Sequence, residues 1–266
     1  MGKPIITLLT DFGTKDLYVA SIKGVILNIN PHCTLVDITH EVRPHDIEEG
    51  AFILANTYSY FPKGTIHLSI VDPGVGGTRK PIILVTPNYF FIGPDNGLFT
   101  LVAQREKVKQ VVVLTKQKYF LPKVSKTFHG RDIFAPVAAH LSLGIKPIAF
   151  GYEINSLKKI KFQKAIIKEG KLLGEIYHID TFGNLVTNVD KEKLFRFIKD
   201  RPFVILAGGK IIRDLKKGYW EGKKGKLIAL LGSSGLLEIS VREGSAQKML
   251  KVKKRSPVIV SIVRSQ

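Results

Sequence analysis

The sequence predicts an α/β domain followed by a smaller all-β, barrel-like domain. Three observations carry that expectation. Short continuous apolar runs alternate with stretches of helical spacing as far as Gly151. Beyond it the pattern changes to short strands separated by turn signals. The length of 266 residues suits two domains of roughly 100–200 residues each.

In the first part, Pro4–Thr10 (PIITLLT) is an apolar run of the kind that forms a strand buried on both faces. Asp16–Asn28 has helical spacing, with Val19, Ile22, Ile26 and Leu27 on one face. Thr34–Ile38 reads as a strand. His45–Phe61 reads as a helix whose early Asp46, Glu48 and Glu49 suit the positive end of the helix dipole. Thr65–Val71, Pro81–Val85, Tyr89–Ile92 and Gln110–Leu114 read as strands, and Arg131–Leu143 as a helix. Such alternation implies βαβ units, a mostly parallel sheet and helices on both faces.

The second part offers Lys171–His178, Leu185–Asn188, Phe203–Ala207, Lys210–Ile212, Leu227–Leu231, Leu236–Val241 and Val258–Val263 as strands, with Gly208–Gly209 as a two-residue hairpin turn. Residues 158–171 hold six lysines. The expected domains are therefore 1–155, a lysine-rich linker 156–170, and 171–266.

Composition narrows the class. Hydrophobic residues make up 44% of the chain, enough for a sizeable core and too many for a disordered protein. The single cysteine, Cys33, excludes a disulfide framework and a cysteine-based zinc site. No apolar run reaches the roughly 18 residues needed to span a bilayer, and the N-terminus lacks a signal-peptide pattern. A cytoplasmic protein is expected. Residues 1–100 carry 7 basic and 9 acidic groups; residues 101–266 carry 34 and 13. That asymmetry suits nucleic-acid binding or simply a lysine-rich surface. No basic motif interleaved with aromatics supports the former.

Five segments have the residue types for chemistry. Thr10–Gly13 (TDFG) ends the first strand, where ligands bind in open α/β sheets; Asp11 can accept from a vicinal diol or cap the next helix. Val71–Arg79 (VDPGVGGTR) follows another buried strand. It lacks the dinucleotide fingerprint and the P-loop Gly-Lys-Ser/Thr, and its Asp72 and Arg79 suit an ion pair. Thr127–Asp132 (TFHGRD) sets His129 at a helix N-terminus, which favours neutral imidazole; beside a carboxylate it can hold or deprotonate a water. Ile179–Asn184 (IDTFGN) offers a carboxylate, an aromatic face and an amide. Gly232–Gly235 (GSSG) is a small-residue loop able to hold a carboxylate. The histidines show no metal-ligand spacing, although Asp11, Asp72 and His129 together remain a conceivable metal site.

These segments, with Pro44–Gly50 (PHDIEEG) and Gly93–Gly97 (GPDNG), run in order from Thr10 to Ser240. In that order the chain resembles the S-adenosylmethionine hydrolase family, also called the SAM hydroxide adenosyltransferases, relatives of fluorinases and chlorinases. The resemblance implies hydrolysis of S-adenosyl-L-methionine to adenosine and L-methionine, without cofactor or metal. It implies a homotrimer with the substrate between the N-domain of one subunit and the C-domain of the next. Asp72, Arg79 and His129 would activate water. Asp11 would bind the ribose diol, Phe182 and Asn184 the adenine, Asp180 the methionine ammonium, and Ser233 and Ser234 its carboxylate; Phe128 would also contact substrate.

Two departures from the halogenating relatives bear on the nucleophile. Asp72 replaces a tyrosine, and His129 and Gly130 replace the tyrosine and serine of the halide pocket. A carboxylate there repels a halide. His45 and Tyr18 replace a tryptophan and a serine, so the contacts of those two are not transferred. The alternatives are a metal-dependent hydrolase of another nucleoside compound and a basic RNA-binding protein. Neither membrane nor nucleic acid is an expected partner.

Overall fold

The computed structural model describes residues 2–263. The chain forms two compact units, residues 1–161 and 162–266. No helix among the described residues is long and apolar enough to cross a membrane.

The first unit runs β1 (Ile5–Thr10), α1 (Leu17–Ile29), β2 (Thr34–Thr39), α2 (Ile47–Thr57), β3 (Ile66–Ile70), β4 (Pro81–Val85), β5 (Phe90–Pro94), α3 (Thr100–Arg105), β6 (Gln110–Leu114), α4 (Ala135–Ser142) and β7 (Gly151–Glu153). The sheet order is β2-β1-β3-β5-β4-β6-β7. β2, β1, β3, β5 and β6 point one way; β4 and β7 run against them. Helices cover both faces, as the alternation predicts. Successive strand residues point to opposite faces. Leu8 joins the core formed with Ile22 and Ile26 of α1 and Ala138 of α4. Leu9 meets α2 instead, where Gly50 lies so close that a Cβ would approach Leu98, Val71 and Leu9.

Two helix starts differ from the sequence expectation. His45 adopts φ +67 and stays outside α2, which begins at Ile47 under an Asp46 cap accepting from Glu49 N at 3.0 Å. Before α4 the chain makes a turn of π-helix at Gly130–Phe134. Such a turn widens the helix without changing its apolar spacing enough to be visible in sequence.

The second unit runs β8 (Ile166–Lys168), β9 (Lys171–Ile179), β10 (Leu185–Asp190), α5 (Lys191–Ile198), β11 (Phe203–Ala207), β12 (Lys210–Ile212), β13 (Leu215–Lys216), β14 (Leu227–Leu231), β15 (Leu236–Val241), α6 (Ala246–Leu250) and β16 (Pro257–Ile262). Its strands form a curled sheet in the order β12-β11-β16-β9-β10-β15-β14-β13, with β8 on β9; every pairing is antiparallel except β13 with β14. The Gly208–Gly209 turn joins β11 to β12 with φ +52 and +74, the left-handed pair that a tight hairpin requires. Strand β8 lies within the lysine-rich stretch. Helices α5 and α6 are additions to the strand-only reading. In α5, Asp190 accepts from Lys193 N at 2.7 Å, while Leu194, Phe197 and Ile198 turn to the core.

Candidate active site

The order β2-β1-β3 means that the chain leaves β1 to one side and returns on the other. The sheet's switch point therefore falls between β1 and β3, the crevice where such sheets bind ligands at their carboxyl ends. Thr10 and Ile70, the last residues of those strands, are register partners. Asp11 and Asp72 follow them and line one cavity of about 290 Å³, together with His129.

Asp11 is fixed by its neighbours. Thr10 Oγ1 bonds His40 Nδ1 at 2.8 Å, and Gly13 N donates to the His40 carbonyl at 2.7 Å. The left-handed backbone at His45 turns its N–H onto Asp11 Oδ2 at 2.9 Å, a conformation a residue other than glycine adopts only when its surroundings hold it there.

Arg79 organises the rest. Its Nε donates to Asp72 Oδ1 and Oδ2 at 3.0 and 2.9 Å, and its Nη2 to Oδ2 at 2.5 Å. The two side chains are only 7% and 5% exposed, so the pair is largely dry, and the guanidinium stacks over the buried Phe134 ring at 5.3 Å. The same Nη2 lies 2.9 Å from His129 Nδ1. A guanidinium only donates, so Nδ1 is the acceptor. His129 is thereby neutral with its proton on Nε2. Its pKa is lowered, by burial first and the Arg79 charge second, against the opposing pull of Asp72 and Asp132. The direction is the one expected from the helix start, but the leading causes are burial and Arg79.

Glycine and side-chain brackets hold these loops together. Gly76 has φ +74, and a Cβ there would stand 2.1 Å from the Lys126 carbonyl oxygen; only glycine lets the Asp72 loop lie against the His129 loop. Asn96 donates to the Val71 carbonyl at 2.8 Å and pins the end of β3 next to Asp72. Asp132, fully buried, accepts from Ser125 N at 2.8 Å and from its neighbour Arg131 at 2.6 Å, closing the loop that carries His129. Phe128 is buried, lines the same cavity, and has Arg131 over its ring at 5.0 Å.

In the second unit, Asp180, Phe182 and Asn184 line a cavity of about 360 Å³ with Tyr219 and Arg242. Asn184 N and Nδ2 donate to the two Asp180 oxygens at 2.8 and 2.9 Å, and Gly183 packs so tightly on Ser245 that a Cβ would meet its Oγ at 2.0 Å. Phe182 is 78% exposed, so the turn displays this ring and does not pack it. Ser233 and Ser234 sit on the turn between β14 and β15, whose Gly235 N donates to the Gly232 carbonyl at 2.9 Å; neither serine lines the Asp180 cavity. Among the described residues, no three His, Cys, Asp or Glu side chains gather into a metal-binding group.

Residues 6–151 match the SAM hydroxide adenosyltransferase N-terminal domain, and residues 174–259 match the C-terminal domain of the same family. The chain belongs to the SAM hydroxide adenosyltransferase family. A Methanocaldococcus jannaschii protein named (R)-S-adenosyl-L-methionine hydrolase is 37% identical over 258 residues, covering 93% of this chain and 92% of that protein. A Thermus thermophilus protein of the same name is 35% identical over 257 residues, covering 94% and 96%. A crystal structure of an uncharacterized conserved protein from Thermotoga maritima superposes with a TM-score of 0.90 at 36% identity, covering 96% of this chain and 99% of that one.

Within this family frame, several further residues shape the two cavities; of these, Tyr18 is visible in the sequence as a departure from the halogenating relatives, and the others carry no local signal of the role. Tyr18 lines the first cavity. Tyr219 lines the second, and its hydroxyl donates to Glu238 at 2.6 Å; burial and that bond push its pKa upward. Asn96 and Gly76 lie inside the GPDNG and VDPGVGGTR motifs, yet their tasks depend on partners 25 and 50 positions away.

Proposed function

We propose that the protein hydrolyses S-adenosyl-L-methionine to adenosine and L-methionine. The observation that carries this reading is the Asp72–Arg79–His129 constellation beside Asp11, in a chain of this family. The sulfonium leaves as a neutral thioether, so no general acid is required. The reaction needs an oriented water in line with the C5′–S bond. His129 Nε2–H donates to that water and Asp72 accepts from it, which leaves a water lone pair for C5′. As the C5′–O bond forms and the C5′–S bond breaks, the water's proton passes to Asp72 and then to solvent. Arg79 holds both partners and takes no proton, because its pKa is too high. Since Arg79 bonds both Asp72 oxygens, the carboxylate is engaged in a way that suits metal-free chemistry.

A carboxylate has about four acceptor sites. The His45 N–H uses one on Asp11, leaving room for both ribose hydroxyls. In the second unit, Phe182 and Asn184 take the adenine, Asp180 the ammonium, and Ser233 and Ser234 the carboxylate of the methionine. The family resemblance supports this assignment, as does the display of an exposed phenylalanine beside an amide and an acid. The same resemblance supports a homotrimer, and a chain with a single cysteine, the buried Cys33, suits a cytoplasmic setting. Both hydrolase relatives carry the R configuration of the sulfonium in their names, and this reading takes the same epimer as substrate.

The test is chromatography of each sulfonium epimer after incubation with the protein in excess chelator. Equal amounts of adenosine and methionine are expected, faster from the R epimer. No product, or product only after metal is added back, overturns the reading. A second measurement addresses Asp11. Charged hydrogen bonds contribute about 1.5–3 kcal/mol each, so Asp11→Ala should weaken adenosine binding at least ~10-fold. Equal affinity of the wild type for adenosine and 2′-deoxyadenosine would remove the ribose role.

A further inference from the structure

The carboxylates in the first cavity are already engaged. Asp72 takes three contacts from Arg79, and Asp11 takes the His45 N–H. A further part of the cavity wall is aromatic. Phe12, Tyr18 and Phe128 meet pairwise, with centroids 5.6 Å apart for Phe12–Tyr18, 5.2 Å for Tyr18–Phe128 and 6.1 Å for Phe12–Phe128. All three line the cavity that holds Asp72 and His129. Tyr18, on the first turn of α1, is 42% exposed.

We propose that this aromatic wall receives the sulfonium cation of the substrate, and that Tyr18 distinguishes the cation from a neutral thioether. The proposal rests on the reading of S-adenosylmethionine as substrate. With the ribose at Asp11 and the water at Asp72 and His129, C5′ lies in this cavity. The sulfur is bonded to C5′, so the positive charge lies there too. An aromatic face attracts a cation within about 6 Å of its centroid, most strongly where water is excluded.

An aromatic wall also suits the course of the reaction. Displacement consumes the positive charge, so any group that holds the sulfonium firmly stabilises the ground state more than the transition state. A carboxylate against sulfur would impose that penalty in full. A ring quadrupole binds the cation more weakly, and its attraction disappears once sulfur becomes a neutral thioether, so the methionine product is released from it.

The experiment compares Tyr18→Leu, which keeps bulk but removes the ring, with Tyr18→Phe, which keeps the face. KM and kcat are measured with S-adenosylmethionine. Inhibition constants are measured for S-adenosylhomocysteine, the uncharged thioether, and for adenosine. Tyr18→Leu should raise KM about tenfold and leave kcat unchanged or slightly higher, with both inhibition constants nearly unmoved. Tyr18→Phe should stay within about twofold of wild type. Phe12→Leu is the second variant should Tyr18→Leu fold poorly, and it should shift KM in the same direction. Equal weakening of S-adenosylmethionine and S-adenosylhomocysteine overturns the proposal in favour of shape alone; so does a fall in kcat at constant KM. Wild-type protein that neither hydrolyses S-adenosylmethionine nor binds adenosine would instead defeat the parent reading.

Discussion

Asp72→Asn is expected to lower kcat by about 10²–10³, the usual loss when one preorganised group is removed from a reacting centre, while KM for S-adenosylmethionine stays near its wild-type value. The amide preserves shape and can still accept from Arg79 Nε, but it has no charge to draw a proton from water. Because the missing interaction matters mainly in the transition state, the loss falls on kcat. His129→Ala should cost a similar factor. The double variant should be little worse than either single one, since both changes dismantle one unit held by one guanidinium. Steady-state kinetics on the four proteins decides it. A loss carried wholly by KM would mean that Asp72 binds substrate and does not act on water.

The second large effect concerns Arg79. Arg79→Met removes the cation that lies 2.9 Å from His129 and bonds both Asp72 oxygens. A drop in kcat of about 10² or more is expected, along with a changed pH profile. In the wild type the His129 pKa is depressed, by burial and then by Arg79, and in the proposed mechanism neutral His129 is the working form. Activity is therefore full above the ordinary histidine value of about 6.5 and falls only as the pH drops through the lowered pKa. There a proton enters Nδ1 and breaks the bond from Arg79. Without Arg79, only burial opposes the upward pull of Asp72 and Asp132 on His129, so the acid limb should move to higher pH. Arg79→Lys keeps a charge but not the planar fork, so it should lose rate with a smaller displacement of the limb. Leaving a buried charge unpaired costs about 3–5 kcal/mol, so thermal melts of both variants accompany the kinetics. An acid limb that stays in place in Arg79→Met would show that the guanidinium does not control His129.

Much of the framework was legible in the sequence because its signals are local. Pro4–Thr10 and Gln110–Leu114 are continuous apolar runs, and a strand buried on both faces needs nothing else to announce itself. Gly208–Gly209 marks its own hairpin. The candidate residues Asp11, Asp72, Arg79 and His129 were legible as motifs at element ends. What stayed hidden is non-local. Nothing near Gly76 says that its missing Cβ makes room for the Lys126 carbonyl, and nothing near Asn96 says that its amide reaches Val71. The π turn at Gly130–Phe134 differs from an α-helix by one hydrogen-bond step. Helix α5 spans only about two turns, with Leu194, Phe197 and Ile198 at helical spacing on its buried face, a run too short to stand out among the strand signals around it. Its cap, Asp190, was the available clue.

The register that pairs Thr10 with Ile70 also bears on how the chain acquires its activity. Those residues are 60 positions apart, and parallel pairing over such a span is made only after a crossover has formed and its loop-closure entropy has been met. Until β3 docks on β1, Asp11 belongs to one segment and the Asp72–Arg79 pair to another. A partly folded chain with every helix in place thus has no catalytic centre at all. The groups of the candidate site come together only once this long-range pairing is made, so a chain that lacks it lacks the assembled cavity.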